Sequence, residues 1–355
     1  MASVRDIAKK AGVSATTVSR VLNNHPKVSD DARDRVLAAA NSARYVATVG
    51  RRSTTNIAFV YTGESSLGSP FDAALMRGMA LGMEEFGFDL MVLDARRARR
   101  RHETYSQMFM RKGIRGAVLR TTAQTIDICR TISGEGFPSV VVGSRIDAPT
   151  VSYIYSDSRK TSQEAVEHLI GLGHRRIAIC LNIVDDSDHA DRLAGYKAAL
   201  ASADIDFDEK LLVRAPALRE GGAQLIRRLM GMSPQPTAVF ITDPHTAVGA
   251  LTEARKAGVR VPDDLSVVGF DDAELRYTVY PEMTSVCQDA VAMGREAFSV
   301  LNETLGENPV STTYDQKAAP RAQNTQAIHR SLRTWLEVHD SAGPAPQQEE
   351  ASHMT

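Results

Sequence analysis

The first 45 residues constrain the fold most, because a tight turn there is followed directly by a short amphipathic segment. Residues 14–23 read Ser-Ala-Thr-Thr-Val-Ser-Arg-Val-Leu-Asn. Ser14 is an N-cap residue whose hydroxyl is placed to accept from the backbone N–H of Thr16 or Thr17. Three residues recur at helical spacing and form one apolar stripe, namely Val18, Val21 and Leu22. The segment therefore predicts a short helix.

The opposite face of this helix carries small, uncharged hydrogen-bonding groups around a single arginine. It consists of Ala15, Thr16, Thr17, Ser19, Arg20 and Asn23. A helix exposed only to water would more usually carry Glu and Lys there. A helix in the major groove of DNA favours this composition, because small side chains allow close approach, hydroxyls reach phosphates and arginine reads guanine O6 and N7. The alternative is a three-helix cap with a polar face.

The flanking residues fit a helix-turn-helix. Residues 3–6 cap a first helix, Gly12-Val13 makes the turn, and Ser29 caps a third helix over residues 30–43. Residues 1–56 hold ten Lys/Arg and four Asp/Glu, whereas the whole chain has a net charge of −1. A small basic head on an acidic body predicts that the head meets a polyanion.

The residues around this turn resemble the N-terminal signature of the LacI/GalR (lactose/galactose repressor) family of bacterial transcriptional regulators. The similar residues are 4–14, Val-Arg-Asp-Ile-Ala-Lys-Lys-Ala-Gly-Val-Ser, and 17–23, Thr-Val-Ser-Arg-Val-Leu-Asn. The resemblance implies base-reading positions at Ala15, Thr16 and Arg20. It implies backbone contacts at Thr17, Ser19 and Asn23, beside the capping Ser14. Because Ala15 and Thr16 are so small, we expect Arg20 to carry most of the base discrimination, about 1–3 kcal/mol.

Length and composition place the chain among ordinary globular proteins. It has 355 residues, of which 43% are hydrophobic and 24% charged, which suits a small head and a two-lobed body. The chain contains no run of about 18 apolar residues, so no membrane span is predicted. Its first residues do not follow the pattern of a signal peptide, and we therefore expect a cytoplasmic protein. The three cysteines, Cys129, Cys180 and Cys287, lack metal-ligand spacing and are expected to be buried free thiols. We expect neither a metal nor a cofactor.

Residues 46–56 form a predicted linker, Val-Ala-Thr-Val-Gly-Arg-Arg-Ser-Thr-Thr-Asn. Relatives usually have a Pro-Asn-x-x-Ala-Arg-x-Leu segment here that folds into a hinge helix on DNA. This chain lacks that segment, and Gly50 and the Thr/Ser run oppose a helix. Arg51 and Arg52 could touch phosphates or a narrow minor groove, or the linker could be a flexible tether. Both alternatives stay open.

From residue 57 to 340, short apolar runs alternate with amphipathic segments, which predicts parallel sheets covered on both faces by helices. The predicted fold class is α/β: an all-α helix-turn-helix head, residues 1–45, plus a body of two doubly wound lobes. The strand at 284–287 and the helix at 291–305 are expected to return to the first lobe. Two lobes joined by several crossings can close on a ligand. The tail, 341–355, is rich in Pro, Gln, Glu and Ser and is expected to be disordered.

The body also resembles this family, notably in residues 258–272, Gly-Val-Arg-Val-Pro-Asp-Asp-Leu-Ser-Val-Val-Gly-Phe-Asp-Asp, and 281–286, Pro-Glu-Met-Thr-Ser-Val. The resemblance extends over roughly residues 3–305. It implies a periplasmic-binding-protein-like body and a homodimer, with a tetramer as the alternative. It also implies a repressor whose affinity for operator DNA responds to a sugar, sugar phosphate or sugar acid.

Six body residues match family effector contacts or follow strands at positions where such contacts lie: Ser69, Phe71, Arg192, Thr242, Asp243 and Asp271. Each has a structural alternative. Asp271 and Asp272 could cap the following turn, Arg192 could pair with Asp185 or Asp188, and Phe71 could be a core residue. Arg120 and Arg145 end strands of the first lobe and, with Arg192, hint at an anionic effector.

Two other functions are weighed against regulation. The first is a carbohydrate-binding protein of the periplasmic type, and the basic head argues against it. The second is an enzyme on the same fold, and the lack of a recognisable catalytic motif argues against it. The run at 96–101, Arg-Arg-Ala-Arg-Arg-Arg, could bind nucleic acid, although a solvated loop is the simpler interpretation.

Overall fold

The computed structural model describes residues 3–22, 27–42, 54–64, 67–101, 103–306 and 326–346. The chain forms two compact units. Unit 1 comprises Met1–Tyr155 and Val291–Arg330, and unit 2 comprises Ser156–Ala290 and Ser331–Thr355. The described α-helices are α1 Val4–Ala11, α2 Ala15–Leu22, α3 Asp30–Ser42, α4 Pro70–Met83, α5 Ala95–Ala98, α6 Tyr105–Arg111, α7 Ile126–Gly134, α8 Arg159–Gly171, α9 Ser187–Ser202, α10 Arg219–Met230, α11 Pro244–Lys256 and α12 Ala290–Leu305. The described strands are β1 Asn56–Tyr61, β2 Asp89–Asp94, β3 Ile114–Arg120, β4 Ser139–Val142, β5 Ser152–Asp157, β6 Ile177–Asn182, β7 Leu212–Ala215, β8 Ala238–Ile241, β9 Ser266–Asp271, β10 Thr284–Gln288 and β11 His329–Glu337.

The head has the predicted helix-turn-helix. Ser3 and Asp6 form a reciprocal capping box that starts α1, and Gly12 ends this helix with φ +64°. The backbone N–H of Val13 donates to the carbonyl of Ala8, which closes the turn before α2. The three helices enclose one apolar core, formed by Ile7, Ala8, Ala11, Val18, Val21, Val36, Leu37, Ala39 and Ala40.

Unit 1 contains a parallel sheet with strand order β2-β1-β3-β4-β5. Its central strands, β1 and β3, are buried along nearly their whole length, as the continuous apolar runs predict. One apolar cluster joins the sheet to α6 and α7 through Met108, Phe109 and Ile132.

Unit 2 contains a sheet with strand order β7-β6-β8-β9-β10-β11. Its strand pairs are parallel except that β11 runs antiparallel to β10. Two apolar clusters cover its faces. One includes Leu225 of α10 and Ala250 of α11, and the other includes Leu169 of α8 and Tyr196 of α9. Helices on both faces of a mainly parallel sheet are the predicted doubly wound plan.

The structure corrects two predictions about the end of the body. The strand predicted to return to the first lobe is β10, and it pairs with β9 in unit 2, whereas α12 lies in unit 1 as expected. The predicted disordered tail is wrong for residues 341–346. Ser341 is fully buried, its hydroxyl donates to the Val267 carbonyl at 2.6 Å, and it accepts from the Thr284 N–H at 2.9 Å. These bonds hold the segment against strands β9 and β10.

Some predictions fall on parts of the chain outside the described residues. Most of the linker prediction does, since residues 43–53 are not described, and so does the remainder of the tail, 347–355. Within the described ranges, Cys129, Cys180 and Cys287 are free and buried, as expected. No helix in these ranges combines the length and apolar content that crossing a bilayer requires.

Candidate nucleic-acid interface and effector-contact residues

The exposed face of α2 is the candidate nucleic-acid interface. The Ser14 hydroxyl accepts from the Thr17 backbone N–H at 3.0 Å, so the predicted cap is confirmed. Val18 and Val21 are buried in the head core, which turns the opposite side of the helix outward. Ala15, Thr16 and Arg20 are exposed, and Thr17 and Ser19 are partly buried. Asn23 lies outside the described residues.

This face can do what the predicted chemistry requires. Arg20 is the one long cationic side chain of α2, and the exposed Ala15 and Thr16 are short and uncharged. The Thr17 hydroxyl lies 2.9 Å from that of Ser14, so both polar groups sit at the helix N-terminus. Exposed backbone N–H groups and hydroxyls at a helix N-terminus favour phosphate. The assignment of these residues to DNA contacts stays a prediction.

Arg192 is the candidate effector residue with the clearest unmet bonding capacity. Its guanidinium is buried in α9, donates from Nη1 to the Thr242 carbonyl at 2.6 Å, and lies 3.6 Å above the centre of the Phe270 ring. Asp188 is 3.8 Å from Nη2. The Nε atom has no hydrogen-bond partner among the described residues. A buried donor without a partner is costly, so a ligand oxygen there would be stabilising.

His189 lies one turn before Arg192 on the same helix and was not predicted from the sequence. Its Nδ1 is 2.7 Å from the Asp186 carboxylate, which caps α9 by accepting from the His189 backbone N–H at 2.8 Å. Because a carboxylate only accepts, the Nδ1–H is the donor in this contact, and in the neutral imidazole Nε2 is then an acceptor. Nε2 is buried and has no partner among the described residues. Arg192 Nε and His189 Nε2 thus offer one donor and one acceptor.

Asp271 takes the structural role that was the alternative to effector contact. Its carboxylate accepts from the backbone N–H groups of Ala273, Leu275 and Arg276 at 3.1, 3.0 and 3.2 Å. It also accepts from Arg276 Nη1 at 2.7 Å. Four donors fill the lone-pair positions of both oxygens. Contact with an effector would have to displace one of these bonds.

Asp272 is better placed than Asp271 to contact an effector. Gln288 Nε2 donates to its Oδ1, and the carboxyl is partly buried at the end of β9. Burial raises the pKa of the Asp272 carboxyl to about 7, against the opposing effect of the nearby Arg192 cation. A carboxyl in this state can both donate to and accept from hydroxyl groups. The sequence motif contains two adjacent aspartates and does not distinguish their side-chain directions.

Asp243 and Thr242 end β8 beside this group. Asp243 caps α11 by accepting from the Thr246 N–H at 3.1 Å. The Thr242 hydroxyl is fully buried and donates to the Cys180 carbonyl at 2.9 Å, so its role is to stabilise the sheet. The ends of β8, β9 and β10 meet at one edge of the unit 2 sheet, where ligand groups converge in α/β folds.

The first-lobe candidates lie at the corresponding edge of the unit 1 sheet. The Ser69 hydroxyl caps α4 by accepting from the Asp72 N–H at 3.4 Å. Phe71 is buried, and the Arg120 guanidinium lies 5.0 Å from its ring centre. Asp72, which was not predicted, is fully buried and accepts from Arg120 Nε at 3.1 Å and from the Tyr61 hydroxyl at 3.0 Å. Asp72 therefore neutralises Arg120.

Neutralisation weakens the sequence hint of an anionic effector. Arg120 pairs with Asp72, and Arg192 has Asp188 nearby and Asp272 close enough to lower that carboxyl's pKa. The Arg145 guanidinium lies 4.7 Å from the centre of the Tyr155 ring. Each of the three cations that suggested an anion thus already has a carboxylate or an aromatic partner. No group of metal-ligating side chains is assembled in the described ranges.

Comparison with known proteins matches both parts of the chain. Residues 3–47 match the family described as bacterial regulatory proteins, lacI family, and residues 166–326 match the periplasmic binding protein-like domain. The chain is 32% identical to the transcriptional regulator CelR of Thermobifida fusca, over 94% of this chain and 96% of CelR. It is 31% identical to the ribose operon repressor of Haemophilus influenzae, over 87% and 93% of the two chains.

The fold agrees with these similarities. A solved complex of the regulator CelR with cellobiose superimposes with a TM-score of 0.66 and 28% identity, and it covers 96% of this chain and 100% of its own. The relatives named above are regulators or repressors, which supports regulation over catalysis.

Proposed function

Since this chain belongs to the LacI family of bacterial regulatory proteins, we propose that it is a cytoplasmic repressor whose operator affinity is controlled by a neutral, hydroxyl-rich effector. It is a DNA-binding regulator by family, and the repressor role and the effector class are the proposal. A relative named as a ribose operon repressor supports repression. We also propose that it acts as a homodimer, because two heads related by two-fold symmetry would match a near-palindromic operator.

The observation that carries the DNA part is the exposed face of α2. Ala15, Thr16 and Arg20 are all exposed on α2, and the buried Val18 and Val21 fix the direction of that face. A long cationic side chain among short ones can enter the major groove and donate to guanine through two N–H groups.

Selection from random duplexes tests this part directly. We expect the full-length protein to enrich one near-palindromic sequence, with log affinity falling linearly as log salt rises. Transcription in vitro from a promoter carrying the selected sequence should decrease when the protein is added. Recovery of no preferred sequence at moderate salt would overturn the proposal.

The effector part depends on the two α9 groups that have no hydrogen-bond partner in the described part of the chain, and on the carboxyls beside them. A sugar hydroxyl both donates and accepts, so it matches the combination of Arg192 Nε, His189 Nε2 and the Asp272 carboxyl. The paired state of Arg120 and Arg192 leaves little uncompensated positive charge for a phosphate. The complex of the similar regulator CelR with cellobiose is consistent with a neutral sugar.

A thermal-shift screen distinguishes the effector classes. Neutral mono- and disaccharides, sugar phosphates and sugar acids are compared at equal concentration, since a ligand bound by the folded state raises the melting temperature. We expect the largest shift from a neutral sugar and expect Arg192→Ala to abolish it. A shift confined to sugar phosphates or sugar acids would contradict the neutral class.

A further inference from the structure

The arginine run at 96–101 is the largest concentration of positive charge in the body. Residues 94–112 contain seven Lys/Arg and two Asp/Glu, a net charge of +5. The other body residues, 57–93 and 113–355, carry a net charge of −12. A local excess of this size within an acidic body creates a positive potential that attracts a polyanion.

The acidic groups nearest to this run shape its backbone. Asp94 caps the four-residue helix α5 by accepting from the N–H groups of Arg96 and Arg97 at 2.9 and 3.2 Å. Glu103 accepts from Arg111 Nε and Nη2 at 2.7 and 2.8 Å and from the backbone N–H of Arg100 at 2.9 Å. Glu103 is therefore committed to Arg111, and this pair braces the loop.

The guanidinium groups remain accessible. All five arginines of the run are exposed, and 85% of the Arg97 side chain is accessible to solvent. Arg96 and Arg97 approach Asp94 only at 3.7 and 3.4 Å, and such exposed pairs contribute little energy. Phosphate groups could therefore recruit these cations at small cost.

The helix that follows the run, α6, contacts the head. Met110 of α6 packs against the apolar core of the head, and the next residue, Arg111, is the brace of the loop. The Arg111 Nη2 also donates to the Ala98 carbonyl at 2.9 Å, within the run itself. The head and this loop belong to the same compact unit. The arginine run is therefore connected to the head by a short chain of contacts, through Ala98, Arg111 and Met110.

We propose that residues 96–101 form a second, sequence-independent DNA contact that binds the phosphates flanking the half-site. This inference rests on the proposed operator binding by α2. Arginine suits the role, because a guanidinium donates to phosphate through several N–H groups. The contact adds affinity and salt dependence without adding base preference.

The test uses the selected operator in two lengths, one ending at the outer bases of the half-sites and one extended by about ten base pairs on each side, roughly one helical turn. The variant is R97Q/R100Q/R101Q in the full-length protein, which keeps Asp94, Glu103 and Arg111. The matched control is R219Q/R228Q/R255Q, which removes the same charge from exposed positions of α10 and α11 in unit 2.

On the extended duplex, the slope of log affinity against log salt should decrease by up to about 5 in the variant, because each dimer loses three arginines at each half-site and each lost phosphate contact lowers the slope by about 0.9. The control should keep the wild-type slope, and the variant should equal wild type on the short duplex. Equal slopes for variant and wild type on the extended duplex would overturn the proposal. The proposal would also be overturned if the variant bound both duplexes as wild type does and differed only in its mass in sedimentation. The run would then mediate contact with a protein partner and not with DNA. Failure of wild type to select any operator would instead reject the proposed function.

Discussion

Arg20 is the residue on which direct base recognition depends most. Replacing Arg20 with Ala should reduce the preference among operator variants, because a guanidinium with two bonds to guanine contributes about 1–3 kcal/mol of discrimination. The measurement is a set of dissociation constants for the selected operator and its single-base variants at one salt concentration. Arg20→Lys is the control, because it retains the charge but not the paired N–H geometry.

The two variants separate base recognition from simple charge attraction. Arg20→Lys should bind random duplex as wild type does and still lose preference at one base pair. If Arg20→Ala weakened binding to every duplex by the same factor, Arg20 would be a phosphate contact and the base-reading assignment would fail.

Asp272 should give the stability of the protein a dependence on pH. Its folded-state pKa of about 7 lies above the ordinary value of 3.8, so the folded protein holds this proton more tightly than the unfolded chain. The free energy of unfolding should therefore fall as pH rises from about 4 to about 7 through this group. Asp272→Asn should flatten that part of the profile, as measured by urea unfolding at several pH values.

Asp206 provides the control for this measurement, because it is an exposed aspartate in the same unit. Asp206→Asn should leave the shape of the profile unchanged. A profile of Asp272→Asn parallel to wild type would show that the Asp272 carboxyl ionises equally in the folded and unfolded states.

The adjacent aspartates also show where sequence reasoning stops at this scale. An apolar strand followed by polar residues correctly located the edge of the sheet, since β9 ends at Asp271. Which of the two carboxylates caps the turn depends on the backbone after the strand, and Asp271 accepts three backbone N–H groups there. His189 and Asp72 were missed for the same reason: their roles follow from partners far along the chain or from a cap, and no spacing pattern marks them.

At the scale of elements, the turn between α1 and α2 sets the direction of the recognition helix. Gly12 has φ +64°, a conformation that costs an L-residue with a Cβ roughly 1–2 kcal/mol. Gly12→Ala should therefore lower the local opening free energy of the head by about that amount. The nearest atom to the added Cβ would be Arg35 Nη1 at 3.7 Å, so the cost is backbone strain and not a clash.

Hydrogen exchange of the α1 and α2 amides in the full-length protein measures this effect. Gly134→Ala is the control, since it ends α7, has no atom within 4 Å of an added Cβ, and is far from the head in sequence. Unchanged protection of the α1 and α2 amides in Gly12→Ala would mean that the turn does not limit opening of the head.

Other elements illustrate which signals the chain does and does not carry. The buried strands of both sheets were predictable from their apolar runs. Strand β11 alternates between more and less exposed positions and was not predicted, because its pairing partner lies about fifty residues earlier. No spacing pattern in the sequence predicts a role for Gly222. The structure explains Gly222, where an added Cβ would lie 2.0 Å from the Thr246 carbonyl oxygen, so α10 and α11 can pack closely.

At the scale of the whole chain, the two-unit organisation followed from the repeated strand-helix pattern, whereas the assignment of each crossing did not. Both units use the same local plan, so a strand such as β10 carries no mark of the sheet that it joins. Its place in unit 2 is set by pairing with β9 and β11 and by the bonds from Ser341 to Thr284 and Val267. Such long-range pairings are tertiary information.

The same chain holds a DNA-binding head and candidate effector residues, so their coupling is the decisive whole-molecule property. If effector binding weakens operator affinity by a factor, operator binding must weaken effector affinity by the same factor, because both describe one coupling free energy. We expect a factor of about 5 to 150, equivalent to about 1–3 kcal/mol.

Calorimetric titration of the effector with and without saturating operator measures the change in effector affinity, and operator titration with and without effector measures the change in operator affinity. Arg20→Ala should show no operator-induced change at concentrations where it leaves the operator unbound, which makes it the internal control. An effector affinity that does not change on saturation with operator would mean that the ligand found by thermal shift binds this protein without regulating it.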